Sequence, residues 1–303
     1  MRIGIDIGGS HIAVGIVEKN GRLIAKESRD VDINNIKEEA RAENLITDII
    51  NNEIRILLEK YDYTYGDISK IGIAVPGSPK GDKIRNLVNL NIKEYNIGKV
   101  LGEKYKTVVK IKNDGKCAGL AEKEYGALKK YDDCVFLCLG TGVGSAVFLN
   151  GELLEPKQNP GFEFGHMIIE KNGNLCKCGN KGCFETYASM KRFKKRAIKD
   201  LELDENTEAE EVQNYIRNNI EKAKVKKFVN EYLENVSIGI ANIINIFEPQ
   251  AIAFGGSFSY YDDVFLPILD EKLRNKVFNE DTKVKLVSAK LKNDAGIIGA
   301  TEI

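Results

Sequence analysis

The chain has 303 residues, of which 43% are hydrophobic, and its 45 basic and 45 acidic side chains leave no net charge. This length is enough for two domains, each with an apolar core of its own. The balanced charge gives no basic character to attract nucleic acid, which is therefore not expected as a partner. Since there is neither a basic-then-apolar leader nor an apolar run near 18 residues, we expect a cytoplasmic protein without a membrane span.

The first predicted element is a buried strand in residues 2–7, which runs into the turn Gly8-Gly9-Ser10. Further strands follow, and Asn20-Gly21 is typical of a hairpin. Because two glycines let backbone N–H groups approach an anion and the serine adds a hydroxyl, this turn is a candidate phosphate site. Asp6 precedes the turn. Because its carboxylate would repel a bare phosphate, we predict a Mg²⁺ ion between the carboxylate and the phosphate. An ordinary hairpin turn is the alternative.

A helix over residues 36–60 and a strand over 68–75 come next, and residues 86–96 are predicted to be a loop. A strand over residues 107–111 then ends at Asn113-Asp114. This dipeptide lies at a strand-to-helix junction, where ligands commonly bind in open α/β sheets. The alternative is that Asp114 only caps the helix that follows, since Asp is a preferred N-cap residue.

Residues 134–153 repeat the outline of the N-terminus: a buried strand, a turn at Gly140-Thr141-Gly142, a second strand and an Asn-Gly hairpin. A repeat of this size predicts two related α/β halves, each presenting a glycine turn to one cleft. Two such turns would hold a chain of phosphates from both sides. The second half ends with a helix over residues 229–247, a strand into the turn Gly255-Gly256-Ser257, and further helix and strand segments.

A set of metal-ligand side chains lies in the middle of the chain, which has only two histidines and six cysteines. The set comprises His166, Cys176, Cys178 and Cys183. One nitrogen and three sulfur ligands suit tetrahedral Zn²⁺, and four protein ligands leave no open position, so we predict a structural zinc. The ion would fix two carboxylates beside it, Glu163 and Glu185. The alternative, cysteines that fill a core, does not fit so polar and glycine-rich a segment.

The segments Gly161-Phe-Glu-Phe-Gly-His-Met167 and Cys176 to Glu185 resemble the signature of the ROK family (repressors, open reading frames, kinases), which has the form G-x-E-x-G-H-M followed by C-x-C-G-x-x-G-C-x-E. The resemblance extends over nearly the whole chain. It implies the two-domain actin-like α/β fold of sugar kinases. We expect a small domain of residues 1–115 with a C-terminal helix at about 290–303, and a large domain of residues 116–289.

The resemblance implies ATP-dependent phosphorylation of a hexose hydroxyl, commonly O6, with Asp114 as the general base. The implied sugar contacts are Gly77, Asn89, Asn113, Asp114, Glu163, His166 and Glu185. The implied nucleotide contacts, which Mg²⁺ assists, are Asp6, Gly8, Gly9, Ser10, His11, Gly140, Thr141, Gly142, Gly255 and Gly256. The chain departs from the family at Ser10-His11, where Thr-Lys is usual, and at Asn91-Ile92, where Gly-Trp is usual.

Glucokinase is the expected activity, and N-acetylmannosamine or N-acetylglucosamine kinase is the main alternative; fructokinase and allose kinase follow. A sugar-responsive repressor of the same family carries a helix-turn-helix domain ahead of the kinase-like part. Here Met1 is followed at once by the first predicted strand, so a repressor is not expected. Family members are often dimers or tetramers, and we expect a homodimer or homotetramer.

Overall fold

The computed structural model describes residues 1–9, 11–31, 38–87, 92–156, 162–279 and 281–303. Two compact units emerge. The first contains Met1–Lys129, a short segment from Glu155, and Asn293–Ile303, and the second contains Lys130–Leu154 and Phe162–Lys292. Among the described residues, none of the helices combines the length and the apolar character needed to cross a lipid bilayer.

The strands are β1 (Arg2–Ile7), β2 (His11–Val17), β3 (Leu23–Asp30), β4 (Lys70–Val75), β5 (Ile84–Leu87), β6 (Ile92–Tyr95), β7 (Val109–Asn113), β8 (Cys134–Leu139), β9 (Val143–Leu149), β10 (Glu152–Leu153), β11 (Ala251–Gly255) and β12 (Lys285–Ser288). The α-helices are α1 (Glu39–Lys60), α2 (Ile97–Tyr105), α3 (Asp114–Glu124), α4 (Glu185–Ala188), α5 (Met190–Asp200), α6 (Ala209–Asn219), α7 (Ala223–Phe247), α8 (Asp262–Leu273) and α9 (Ala295–Ala300).

The two units share one sheet plan. In the first unit the strand order is β3-β2-β1-β4-β7, and in the second it is β10-β9-β8-β11-β12. Each sheet begins with an antiparallel hairpin, β1 with β2 or β8 with β9, and continues with parallel strands. The repeat predicted from the glycine turns is therefore present in the topology, and each turn joins the two strands of its hairpin.

Helix α9 packs directly on the first sheet because the strands carry glycines where it crosses them. Gly4 on β1 is paired with Gly72 on β4. A Cβ at Gly4 would lie 2.1 Å from the Ile297 carbonyl oxygen, and a Cβ at Gly72 would lie 1.6 Å from the Ala300 carbonyl oxygen. A side chain at either position would therefore push the helix off the sheet.

Helix α3 also packs against α9, where the backbone of Cys117 leaves no space for a Cβ at Gly299. This packing keeps α3 in the first unit. The unit boundary in the structure consequently lies after Lys129, whereas the sequence placed the domain boundary after residue 115. The C-terminal segment that begins at Asn293 belongs to the first unit as well.

The second unit is built around α7 and an aromatic cluster. Phe193 of α5 is 1% exposed, and its ring centroid lies 4.6 Å from that of Tyr232 and 5.4 Å from that of Phe265. Since Phe193 and Ala197 anchor one side of α5 in this core, the charged side chains of that helix are directed outward.

The predicted loop over residues 86–96 was wrong in part, because β5 and β6 form an antiparallel hairpin there.

Candidate functional site

The first glycine turn connects β1 to β2. The Gly8 N–H donates to the His11 carbonyl oxygen at 2.8 Å, which closes the turn, and the His11 side chain is exposed. Ser10 lies outside the described residues. Asp6 lies near the end of β1 against α9, since a Cβ at Gly296 would be 2.3 Å from its Oδ2 atom. The turn and an acidic side chain therefore share one edge of the sheet.

Burial and, to a smaller extent, the nearby Asp114 carboxylate raise the pKa of Asp6 from 3.8 to about 7. Burial also raises the pKa of Asp114, although the Gly115 N–H, which donates to its Oδ1 atom at 2.7 Å, opposes this shift. Two carboxyl groups with raised pKa values thus lie close together in the first unit. A cation such as Mg²⁺ would favour their ionised forms.

Asn113, and not Asp114, caps α3. The Asn113 Oδ1 atom accepts from the Lys116 N–H at 3.3 Å, and Asp114 is the first helical residue. The interpretation of Asp114 as the N-cap is therefore wrong, although its carboxylate accepts from the Gly115 N–H in the first turn of α3. The Asn113 amide group also donates to the Gly77 carbonyl oxygen at 3.2 Å, so two of the expected sugar contacts are joined. Asn89, a third expected contact, lies outside the described residues.

The second glycine turn is held from two sides within the second unit. The Gly140 N–H donates to the Gly142 carbonyl oxygen at 3.0 Å, and the Lys191 N–H at the start of α5 donates to the Gly140 carbonyl oxygen at 3.2 Å. The Val143 N–H donates to Glu185 Oε2 at 3.0 Å. A Cβ at Gly142 would lie 2.5 Å from the same oxygen, so the glycine permits the carboxylate to reach the turn.

The four expected metal ligands converge. The ligand atoms of His166, Cys176, Cys178 and Cys183 all lie within 4.8 Å of one another. The Cys176 Sγ atom is 3.8 Å from His166 Nδ1, and the Cys178 Sγ atom is 3.6 Å from Cys183 Sγ. Tetrahedral coordination with Zn–S bonds of about 2.3 Å requires ligand separations of about 3.8 Å. The cluster therefore fits a tetrahedral Zn²⁺ ion.

Backbone hydrogen bonds shape this metal-ligand loop. The Gly179 N–H donates to the Cys176 carbonyl oxygen at 3.0 Å, and the Cys176 N–H donates to the Asn180 carbonyl oxygen at 2.8 Å. The Asn180 N–H lowers the pKa of the Cys178 thiol, whereas burial raises that of Cys183 to about 12. A bound cation would hold the Cys183 sulfur as a thiolate.

Both carboxylates next to the metal ligands are fixed by local structure. Glu163 immediately precedes a 3₁₀ turn, Phe164–His166. Its two neighbours in the chain, Phe162 and Phe164, have ring centroids 5.8 and 5.6 Å from that of Phe247. Glu185 begins α4 two residues after Cys183. The metal-ligand loop is thereby connected to the second glycine turn through the Glu185 carboxylate.

The third glycine turn adjoins the second. Gly256 has φ +68°, and a Cβ there would lie 2.6 Å from the Leu139 carbonyl oxygen. A cavity of about 560 Å³ is lined by Gly140 and Thr141 on one side and by Ser257 on another. Tyr260, Tyr261 and Gln213 also line it. The sequence did not single out these three side chains, although the tyrosines lie shortly after the predicted turn.

The expected site residues are divided between the two units. The first unit holds Asp6, Gly8, Gly9, His11, Gly77, Asn113 and Asp114, and the second holds Gly140, Thr141, Gly142, Glu163, His166, Cys176, Cys178, Cys183, Glu185, Gly255 and Gly256. The glycine turns, Asp6, Gly77 and Asn113 lie at or near strand ends, whereas Glu163 and the metal ligands lie in the long segment between β10 and α4.

Comparisons with known proteins agree with this architecture. The family model described as "ROK family" matches residues 2–303. The chain is 29% identical to the glucokinase of Thermotoga maritima, with 99% of the chain and 96% of that protein covered. It is 28% identical to the xylose repressor of Caldicellulosiruptor bescii, with 98% and 76% covered.

The fold resembles that of a ROK family glucokinase from Streptomyces griseus, solved in complex with glucose and AMPPNP. The TM-score is 0.81 at 23% identity, and the match covers 99% of this chain and 98% of that one. The predicted actin-like α/β fold is therefore confirmed.

Proposed function

Because the chain belongs to the ROK family, we propose that it is an ATP-dependent sugar kinase that transfers the γ-phosphoryl group to a hexose hydroxyl, expected to be O6. The observation that carries the proposal is the placement of Asp114. Its carboxylate is partly buried at the start of α3 while Asn113 is the N-cap, so an acidic side chain is present where the N-cap role does not require it.

In this reaction Asp114 accepts the proton of the attacking hydroxyl. Asn113, Glu163, His166 and Glu185 hydrogen-bond the remaining hydroxyls, since ring alcohols need both donors and acceptors. The Gly77 backbone and Asn89 complete the expected sugar contacts.

The turns at residues 8–10 and 140–142 hold phosphate groups, and the turn at 255–257 borders the nucleoside. A Mg²⁺ ion bound with the nucleotide would supply positive charge beside the phosphates, and Asp6 would help to hold it. The raised pKa of Asp6 is consistent with a carboxyl group that is fully ionised only near a cation.

We propose that His166 and the three cysteines bind a structural Zn²⁺ ion. The convergence of their four ligand atoms supports this. Such an ion would hold Glu163 and Glu185 in fixed positions on either side of it. Thiolate ligands persist in a reducing compartment, which supports a cytoplasmic location.

Glucose is the proposed acceptor, because the Thermotoga maritima relative is named a glucokinase. N-acetylmannosamine and N-acetylglucosamine are the alternatives. The replacement at Asn91-Ile92 favours testing them beside glucose. A coupled ADP-release assay with MgATP against glucose, mannose, fructose, allose and the two N-acetylated sugars distinguishes these acceptors. The highest kcat/KM identifies the substrate, and no turnover with any sugar would favour a sugar-sensing role like that of the repressor relatives.

A further inference from the structure

Tyr232 of α7 carries a polar group into the core of the second unit. Its side chain is 2% exposed, so a ligand in solution does not reach it. The aromatic cluster holds the ring, whose centroid lies 4.6 Å from that of Phe193 and 5.5 Å from that of Phe265. Burying a hydroxyl costs free energy unless the group has a hydrogen-bond partner. The partner of the Tyr232 hydroxyl therefore indicates its role.

The Tyr232 hydroxyl donates to the Ala188 carbonyl oxygen at 2.7 Å, and the Met190 Sδ atom lies 3.3 Å from it. Ala188 ends α4 and Met190 begins α5, so the hydroxyl holds the junction of the two helices. Burial raises the pKa of Tyr232 well above its ordinary value, which keeps the hydroxyl protonated and able to donate. A helix as short as α4 has little stability of its own and depends on such tertiary contacts.

Both helices contact the second glycine turn, and these contacts lie on either side of the junction. Glu185, at the start of α4, accepts from the Val143 N–H at 3.0 Å through Oε2. Lys191, in the first turn of α5, donates its N–H to the Gly140 carbonyl oxygen at 3.2 Å. The first N–H groups of a helix have no partner within it, and the turn supplies one for α5. The position of the junction therefore determines both contacts of the turn.

We infer that Tyr232 is a positioning residue for the second glycine turn: its hydroxyl fixes the junction of α4 and α5 and thereby the place of the ATP phosphates at residues 140–142. This rests on the proposed kinase function, in which that turn holds phosphate groups. The hydroxyl touches neither substrate. It acts through the Glu185 carboxylate and the Lys191 N–H, because release of the junction lets both shift against the turn. Since catalysis depends on placing the reacting groups to within about 1 Å, such a shift lowers the rate.

The test compares Tyr232→Phe with Tyr105→Phe. Phenylalanine keeps the ring in the aromatic cluster and removes only the hydroxyl. Tyr105 is the matched control, because it is 4% exposed and its hydroxyl donates to Asn51 Oδ1 at 2.8 Å in the first unit. In Tyr232→Phe we expect kcat/KM for MgATP to fall at least about fivefold, and Tyr105→Phe should leave kcat/KM unchanged. A purely structural role would not change kcat/KM at a temperature where both variants are folded.

Amide hydrogen exchange, followed by NMR without sugar or ATP, measures the positioning apart from catalysis. In Tyr232→Phe the Val143 and Lys191 amides should exchange at least about fivefold faster than in the unmodified protein. In the Glu185→Ala background the Val143 amide has already lost its acceptor, so of these two amides Tyr232→Phe should accelerate only that of Lys191. A role in overall stability alone would accelerate the Val143 amide equally in both backgrounds.

Unchanged exchange of both amides in Tyr232→Phe, or equal acceleration of the Val143 amide in both backgrounds, would overturn the inference. Faster exchange together with an unchanged kcat/KM would overturn the part of Tyr232 in the reaction. If the unmodified protein phosphorylates no sugar with MgATP, the proposed function fails, and the exchange measurements still decide whether the Tyr232 hydroxyl holds the turn.

Discussion

The contact between Glu185 and the second glycine turn can be measured as a coupling energy. Glu185→Ala removes the acceptor of the Val143 N–H, which now donates at 3.0 Å, and Val143 is 7% exposed. A hydrogen bond to a charged group contributes about 1.5–3 kcal/mol, and the partial exposure of Glu185 places the expected loss near the lower limit, at about 1.5 kcal/mol. Glu185→Gln keeps an acceptor oxygen and should lose about half as much.

Gly142→Ala tests the same contact from the opposite side, because its Cβ would lie 2.5 Å from Glu185 Oε2. Gly142→Ala alone forces the Glu185 carboxylate to move. In the Glu185→Ala background no carboxylate obstructs the new methyl group. The two losses should therefore sum to at least about 1 kcal/mol more than the loss of the double variant.

Urea unfolding of the unmodified protein, the Glu185→Ala and Gly142→Ala variants and the double variant, without sugar or ATP, measures these free energies of unfolding. Glu205→Ala is the matched control, since Glu205 is exposed and lies far from the turn in the sequence. Additive losses, or a Glu185→Ala protein as stable as the control, would refute the view that this carboxylate holds the turn.

Three further predictions concern other parts of the chain. Since the Asp6 pKa rises from 3.8 to about 7 on folding, the native state binds this proton more tightly. Without Mg²⁺ the free energy of unfolding should fall by up to about 4 kcal/mol between pH 4 and pH 7, and Asp6→Asn should reduce that slope in urea titrations. Cys183→Ser should lose the bound zinc in elemental analysis and unfold at lower temperature, whereas Cys138→Ser, outside the cluster, should retain the metal. Gly72→Ala, whose Cβ would lie 1.6 Å from the Ala300 carbonyl oxygen, should cost at least about 3 kcal/mol of stability, and Gly66→Ala, with its nearest contact at 3.6 Å, should cost far less in the same denaturant assay.

The metal cluster and the glycine turns could be predicted because their signals are local. The four ligands lie between His166 and Cys183, so their spacing in the sequence already brings them together. Each glycine turn likewise directly follows its strand. The sequence could not show that Asn113 takes the cap position, because Asn and Asp are both good N-cap residues and only the backbone determines which one is used.

Long-range contacts account for what the sequence missed. The hairpin of β5 and β6 is fixed by pairs such as Leu87 with Ile92, and its Asn-rich sequence has no clear alternation. The unit boundary depends on α3 and α9, which are far apart in the chain. A cavity of about 930 Å³ that six lysine and arginine side chains line forms where α5 meets the second glycine turn and Lys177, so a balanced net charge did not reveal it.

The most direct test of the proposed kinase is the Asp114→Asn variant, measured with MgATP and the best sugar of the panel. We expect kcat to fall by about 10²–10⁴-fold while calorimetry shows sugar affinity close to that of the unmodified protein. Near-normal kcat in this variant would contradict the assignment of Asp114 as the base and, with it, the proposed mechanism.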